Sequence, residues 1–410
     1  MKQRTNWWPL LSTNFLGVLN DNLLKYMVVF IGIAWIHSKN NSMVVAIASG
    51  MLVLPYIFFS PLAGRLAMKY DKTKIFVTMK LVEIPIVLIA AFGFFHQNLY
   101  IAMSGVFLIG LQSAIYSPSK YGLIRDVGGF EGISYGTGAM EMFTFAGVLL
   151  GTVVASLVSD HYNVWFASGL LLSIAITGYF TSLTIKVKES NPPEISNSSV
   201  NPISFGIESI KFAKNISGLN IVIVALSTFW LIGSLLQMNL VVYCPQHLGM
   251  TNIQTGIVMS AAAIGIGLGC YLAGVLSNRK VELGLVPIGA TGMVLTLGTI
   301  YFLNPGGYIF IALIFTSAFF TGIYKVPLNS WVQDRVKGRM LGDILAYCNL
   351  LDFTFILISA GIFGLMSSFF DTRTIFIVIV FIMIAITIIL FYLLPEMKNR
   401  VKYIFMKKQK

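Results

Sequence analysis

Eight ionisable side chains lie inside long apolar stretches: the carboxylates of Asp21, Glu83, Glu141 and Asp352 and the ammonium groups of Lys25, Lys80, Lys120 and Lys325. A charge at the centre of a membrane helix costs roughly 2.5 to 3.5 kcal/mol on insertion scales, so such residues bind, relay or gate by default. Equal numbers of the two signs argue that most are paired. Asp21 and Lys25 are i,i+4 and share one helix face, with Asn14 two turns earlier on the same stripe and Asn20 and Asn22 beside it. This stripe reads as a polar cavity lining near mid-bilayer for a substrate or a coupling proton. A structural ion pair that locks the first helix to its neighbours is the alternative. Gln237, a polar residue of the seventh apolar stretch together with Asn239, and Asn349 and Asp352 of the eleventh are assigned to the same midplane cavity.

Lys80 and Glu83 are i,i+3 and are expected about two to three turns from the inner end of the third stretch, a different depth from Asp21. With Lys120, Arg125 and Glu141 they read as an inner gate, matched later in the chain by Lys325 and Asn329. A permanent structural network fits the same residues.

The elements that position these groups follow from composition. The 410 residues are 56% hydrophobic and only 11% charged, with a mean hydropathy of +0.81, which excludes a water-soluble fold. Runs of about 20 apolar residues, enough to cross a bilayer core, begin near Pro9, Ser42, Ile75, Leu99, Ile133 and Trp165, and again near Leu219, Thr255, Leu283, Tyr308, Leu341 and Thr374. An all-α integral membrane protein of twelve transmembrane helices is expected. The boundaries are 1–186 for a first six-helix bundle, 187–218 for a polar linker with one surface helix, 219–395 for a second bundle and 396–410 for a basic tail. The first stretch is too long for a signal peptide, carries Asn20-Asp21-Asn22 at its centre and lacks a small-residue cleavage site, so it reads as a retained helix.

Lys and Arg total 28 against 16 Asp and Glu, a formal charge of +12. The cations cluster in short connections between apolar runs, a membrane pattern rather than a nucleic-acid one, and no nucleic-acid partner is expected. With the N-terminus inside, every Lys and Arg outside the spans falls on the inner side except Lys39 and Arg373, which orients both termini inward. Trp7 and Trp8 at the first boundary suit an interfacial belt.

The chain also repeats itself. Leu62-Ala63-Gly64 returns as Leu272-Ala273-Gly274 and Phe143-Thr144-Phe145 as Phe353-Thr354-Phe355, both at an offset of 210. Leu11-Ser12-Thr13 returns as Leu226-Ser227-Thr228, and Tyr116 with Pro118 is echoed by Tyr324 with Pro327. Two related six-helix halves place a substrate site near the midplane where they meet, with alternating access. Small residues at i,i+4, including Gly147 and Gly151 on the fifth span and Gly265 and Gly269 on the eighth, permit close helix approach. Tight packing is the plain reading, and a lateral seam between the fifth and eighth helices the sharper one.

Several chemistries are not encoded. No G-x-x-x-x-G-K-[ST] occurs, no G-x-S-x-G, and no His, Cys or carboxylate group with metal-ligand spacing. Cys244, Cys270 and Cys348 are isolated in or beside apolar runs and form no disulfide framework. No enzyme activity, cofactor or metal is expected.

The six-plus-six arrangement resembles the major facilitator superfamily, and particular residues narrow the likeness. Gly17-x-x-Asn20-Asp21-Asn22-x-x-Lys25 is similar to the signature of bacterial lysophospholipid transporters within that superfamily. Lys80-x-x-Glu83-Ile-Pro, Tyr116-Ser-Pro118-Ser-Lys120-Tyr121-Gly122, Met140-Glu141, Thr228-Phe229-Trp230 and Val326-Pro327-Leu328-Asn329 extend it over nearly all of the membrane part. The resemblance implies a multi-pass protein of the bacterial cytoplasmic membrane that moves lysophospholipids, such as lysophosphatidylethanolamine, from the outer to the inner leaflet for re-acylation. Asp21 would then be a central headgroup contact and Lys120 part of the inner gate or a phosphate contact. No acyltransferase domain is expected in residues 396–410, so a lysophospholipid acyltransferase partner would be a separate protein. Two departures stand out: Gln237 replaces an intramembrane Arg of some family members, and Met68 replaces the Asp of the superfamily loop after the second helix, leaving Asp71 as its substitute. The alternative is a major facilitator exporter or proton symporter of another amphiphile or small solute, with Asp21 as the proton site.

Overall fold

The computed structural model describes residues 6–35, 41–187, 189 and 199–400. Twelve helices follow in order: α1 (Trp8–Trp35), α2 (Asn41–Lys69), α3 (Lys72–Phe95), α4 (Leu99–Asp160), α5 (Val164–Ser182), α6 (Pro202–Ala213), α7 (Leu219–Leu248), α8 (Asn252–Leu276), α9 (Leu285–Leu303), α10 (Gly307–Arg335), α11 (Met340–Phe369) and α12 (Thr374–Leu393). Among the described residues eleven of these are long and apolar enough to cross a membrane. The exception, α6, has 12 residues and falls within the segment expected to link the two bundles.

α4 contains two of the twelve expected spans. Its 62 residues would measure about 93 Å at 1.5 Å per residue, three times a hydrocarbon core. The break falls at Gly129, whose φ of 61° and ψ of −169° are open essentially to glycine alone. Loop chemistry sets other starts. Asn98 accepts from the amides of Tyr100 and Ile101 at 3.0 and 3.2 Å, Asn163 does the same for α5, and Thr251 with Gln254 closes a reciprocal capping box on α8.

Compact packing divides the chain differently from the linear repeat. The described residues within Met1–Gly129, Phe143–Ser209 and Val336–Leu350 form one unit; those within Phe130–Met142, Ile210–Arg335 and Leu351–Lys410 form the other. The two displaced segments, at the start of the second arm of α4 and the start of α11, are mates under the repeat. Unit 1 has a core of Leu23, Leu24, Met27, Val87, Phe94 and Val106 with Ala155 and Leu171. Unit 2 gathers Cys270, Ala273, Ile323 and Val326 between α8 and α10. Large apolar side chains such as Phe58, Leu157, Trp165, Leu295 and Phe381 remain more than half exposed, as lipid-facing helices require.

The four glycines expected at a seam between the fifth and eighth helices pack elsewhere. Gly147 and Gly151 face α1, where a Cβ on Gly151 would stand 2.6 Å from the Leu19 carbonyl oxygen. Gly265 and Gly269 face Phe315 and Phe319 of α10. The second arm of α4 meets α8 instead at Gly138 and Gly274, where a Cβ on Gly138 would lie 3.0 Å from the Gly274 Cα, with Tyr135 edge-on to Tyr271 at 6.3 Å. Spacing fixes the face of a helix and leaves its neighbour open, which is why the stripes were legible and their partners were not.

Gly151→Ala should therefore destabilise the protein by about 1–3 kcal/mol through overpacking. Gly233→Ala on α7, where a Cβ meets nothing within 4 Å, should be neutral or stabilising. Thermal unfolding in detergent compares the two.

Candidate functional site

Two polar networks stand inside the apolar units. In unit 1, α1 and α3 run in parallel: Gly17 faces the ammonium of Lys80, and one turn on, Asn20 Nδ2 donates to Glu83 Oε1 at 2.7 Å. Lys80 pairs with the other oxygen of Glu83, both side chains being 1% exposed. A side chain at position 17 would collide with Lys80, so this glycine makes room for the ion pair. Ser113 of α4 donates to Asp21 Oδ2 at 2.6 Å, and its neighbour Gln112 donates to the Met79 carbonyl at 3.1 Å.

This arrangement corrects the expected separation in depth. α1 begins at Trp8 and α3 at Lys72, so Asn20 and Glu83 stand nearly equal numbers of residues into parallel helices. Lys80 and Glu83 belong to the same layer as Asn20 and Asp21. Asp21 and Lys25 do not form the i,i+4 ion pair that stood as the alternative to a cavity lining. The Lys25 ammonium instead lies 4.2 Å from the Tyr26 ring centroid. Asn14 donates to Thr144 at 3.0 Å, while Asn22 folds back onto the Val18 carbonyl of its own helix at 2.8 Å. Lys120 lies 4.8 Å over Tyr121 and 5.5 Å over Tyr116. Asn349 donates to Ser117 at 3.0 Å, and Arg125 to the Val336 carbonyl at 2.9 Å.

In unit 2, Lys325 Nζ lies 2.8 Å from Glu141 Oε2. Phe229 and Trp230 of α7 present their faces to the same ammonium, with centroids at 4.6 and 4.5 Å. Asn329 approaches the other Glu141 oxygen at 3.5 Å, and Gln333 donates to Thr137 at 3.1 Å. Asp352 accepts from Ser227 at 2.8 Å. Of the four acids, then, the two glutamates hold lysines and the two aspartates hold serine hydroxyls. Gln237 is exposed on α7, while Asn239, two residues and about 200° further round, is fully buried.

Sequence reasoning missed a third cluster. Arg339, counted only as a loop cation, is 1% exposed. Its guanidinium lies 3.0 Å from Glu189 and 3.6 Å from Asp71 and donates to the Tyr70 carbonyl at 2.9 Å. Glu189 also accepts from the Thr73 amide at the start of α3 at 3.0 Å. The signal available was Met68, whose apolar side chain shifts the carboxylate role to Asp71. Lys2, Arg4, Lys39, Lys188, the Asn191-Pro192-Pro193 stretch and residues 401–410, used in the topology reading, lie outside the described residues.

Two helical units related by an internal repeat, each with charges buried among membrane-length helices, define a polytopic membrane transporter. Residues 12–360 match the family model of the Major Facilitator Superfamily, and the chain belongs to that superfamily. It is 25% identical over 373 residues to the lysophospholipid transporter LplT of Yersinia enterocolitica, covering 87% of this chain and 88% of that one. It is 26% identical to the protein of the same name from Escherichia fergusonii, over 86% of each. Among solved structures, the fucose:proton symporter of E. coli superposes with a TM-score of 0.75 at 12% identity, over 93% of this chain and 97% of that one. A bacterial homologue of the iron transporter ferroportin superposes with a TM-score of 0.70 at 14% identity, over 96% and 99%.

Removing one member of a buried pair leaves an uncompensated charge, which costs about 3–5 kcal/mol. Lys80→Met should therefore destabilise the protein on that scale, and Lys80→Met with Glu83→Gln should recover much of the loss. Unfolding of the three proteins in detergent tests the pair.

Proposed function

We propose that the protein moves lysophospholipids from the outer to the inner leaflet of a bacterial cytoplasmic membrane by alternating access. The observation that carries this reading is the buried layer of Asn20, Asp21, Ser113, Lys80 and Glu83, with Lys120 on the same helix as Ser113. A lysophospholipid headgroup brings a phosphate, and in its ethanolamine form an ammonium, into an otherwise apolar bundle. Such a passenger needs fixed groups of both signs, because unpaired charge in this environment is expensive. Relatives named as lysophospholipid transporters, matched over 86–88% of their length, support the same substrate class.

In this reading Asp21 is the central headgroup contact, and Lys120, with Arg125, borders the inner gate. Both termini face the cytoplasm, so that the clustered Lys and Arg follow the positive-inside rule. The lipid delivered to the inner leaflet would be consumed by a lysophospholipid acyltransferase.

Reconstitution tests the function. Wild-type protein in proteoliposomes should carry a headgroup-labelled lysophospholipid inward faster than protein-free vesicles, without a pH gradient. Asp21→Ala and Lys120→Ala should each lower the rate at least tenfold. Flux that requires a proton gradient and ignores the lipid headgroup would instead establish a proton-coupled carrier of another solute. Orientation is tested separately, since the native cysteines are buried: Lys280→Cys should react with an impermeant maleimide only from the cytoplasmic face, and Gly306→Cys only from outside.

A further inference from the structure

The corner around Lys325 is built as a receptor for a primary ammonium. Phe229 and Trp230 are consecutive on α7, and their ring planes meet at 86° with centroids 5.2 Å apart. They form two walls at right angles. The Lys325 ammonium is nearly equidistant from both, and Glu141 closes the third side at 2.8 Å. Two π faces and a carboxylate around one cation is the chemistry by which proteins recognise ammonium ligands. The rings stabilise whichever ammonium fills the corner, the lysine's own or a ligand's.

The base of the corner is closed, with Phe229 and Lys325 at 3% and Glu141 at 1% exposure. Its rim is not: Trp230, Asn329 and Asp352 all keep partial exposure. Asp352, held by Ser227 one turn before Trp230, interacts electrostatically with both Lys325 and Glu141. It offers a second anion to a cation that leaves or enters the corner.

We infer that the Phe229–Trp230–Glu141 corner is an ammonium-recognition site for the lipid headgroup, and that Lys325 is its resident occupant, exchanged for the ammonium of an ethanolamine headgroup during transport. The inference rests on the lysophospholipid reading and makes the site selective within it. A lysine side chain and an ethanolamine headgroup end in the same group on the same kind of flexible stem, so one geometry serves both. A glycerol headgroup lacks the cation and cannot make the exchange. Asp21 accepts from the Ser113 hydroxyl, whereas the unit 2 corner already holds an ammonium between two rings and a carboxylate.

The test compares initial rates for lysophosphatidylethanolamine and lysophosphatidylglycerol in proteoliposomes of wild type, Phe229→Leu and Trp230→Leu. The ethanolamine-to-glycerol rate ratio should fall roughly tenfold in each variant, the scale of one desolvated cation–π contact. A packing role would lower both rates in proportion and leave the ratio unchanged, which would overturn the inference. A second readout does not depend on lipid transport. Purified Lys325→Met should be thermally stabilised by added ethanolamine in a saturable way, and the Lys325→Met/Trp230→Leu protein should not. Absence of that stabilisation overturns the ammonium site. Wild type that moves neither lipid faster than protein-free vesicles overturns the lysophospholipid reading alone.

Discussion

The constraint on which the interior depends is the cost of keeping ions among membrane-length helices. Each buried charge must find compensation among the protein's own groups, because lipid supplies none. Lys80 and Glu83 are satisfied by each other and by Asn20, and Lys325 by Glu141 and two rings. The helix contacts follow from these demands. Gly17 is bare because the Lys80 ammonium needs its space, and Gly138 and Gly274 are bare because α8 approaches the arm of α4 that carries Glu141.

The internal repeat is used asymmetrically. Aligning Tyr116 with Tyr324 sets Ser117 against Lys325. Ser117 accepts a neutral hydrogen bond from Asn349 of α11, whereas Lys325 pairs with Glu141 of the second arm of α4. The same crossing of repeat-related helices is thus a weak polar contact in unit 1 and an ion pair in unit 2. The segments that supply Asn349 and Glu141 are also those that leave their linear half to join the other compact unit. The repeat-related crossings thus recur with different chemistry.

Much of this was legible beforehand, and the limits have physical causes. Span positions followed from hydropathy because a bilayer fixes helix length, and the two spans within α4 were legible as separate apolar runs beginning near Leu99 and Ile133. Asp21, Glu83, Glu141 and Lys325 were recognisable because charge in an apolar run needs a reason. Partners were harder: Asp21 shares a face with Lys25, yet the nearer donor is Ser113, a residue indistinguishable in sequence from any other helical serine. The shared depth of Lys80, Glu83 and Asp21 is set by how α1 and α3 stand against each other, which the position of a residue within one helix does not encode. Arg339 escaped because a cation in a short connection looks solvated, and only folding brings Glu189 and Asp71 around it.

Buried ion pairs suit a transporter for an energetic reason. In a low-dielectric interior the attraction between two charges and the cost of desolvating them are both large and nearly cancel. Such a pair therefore holds a definite geometry without adding much net stability to the state that contains it. What matters is whether a separated partner finds another counter-group at once, since a stranded charge costs several kcal/mol. Lys325 has that choice among Glu141, Asp352 and two aromatic faces, and Lys80 has Glu83 with Asp21 in the same layer. Each network thus keeps a second carboxylate near its lysine, the condition for a pair to separate without stranding a charge.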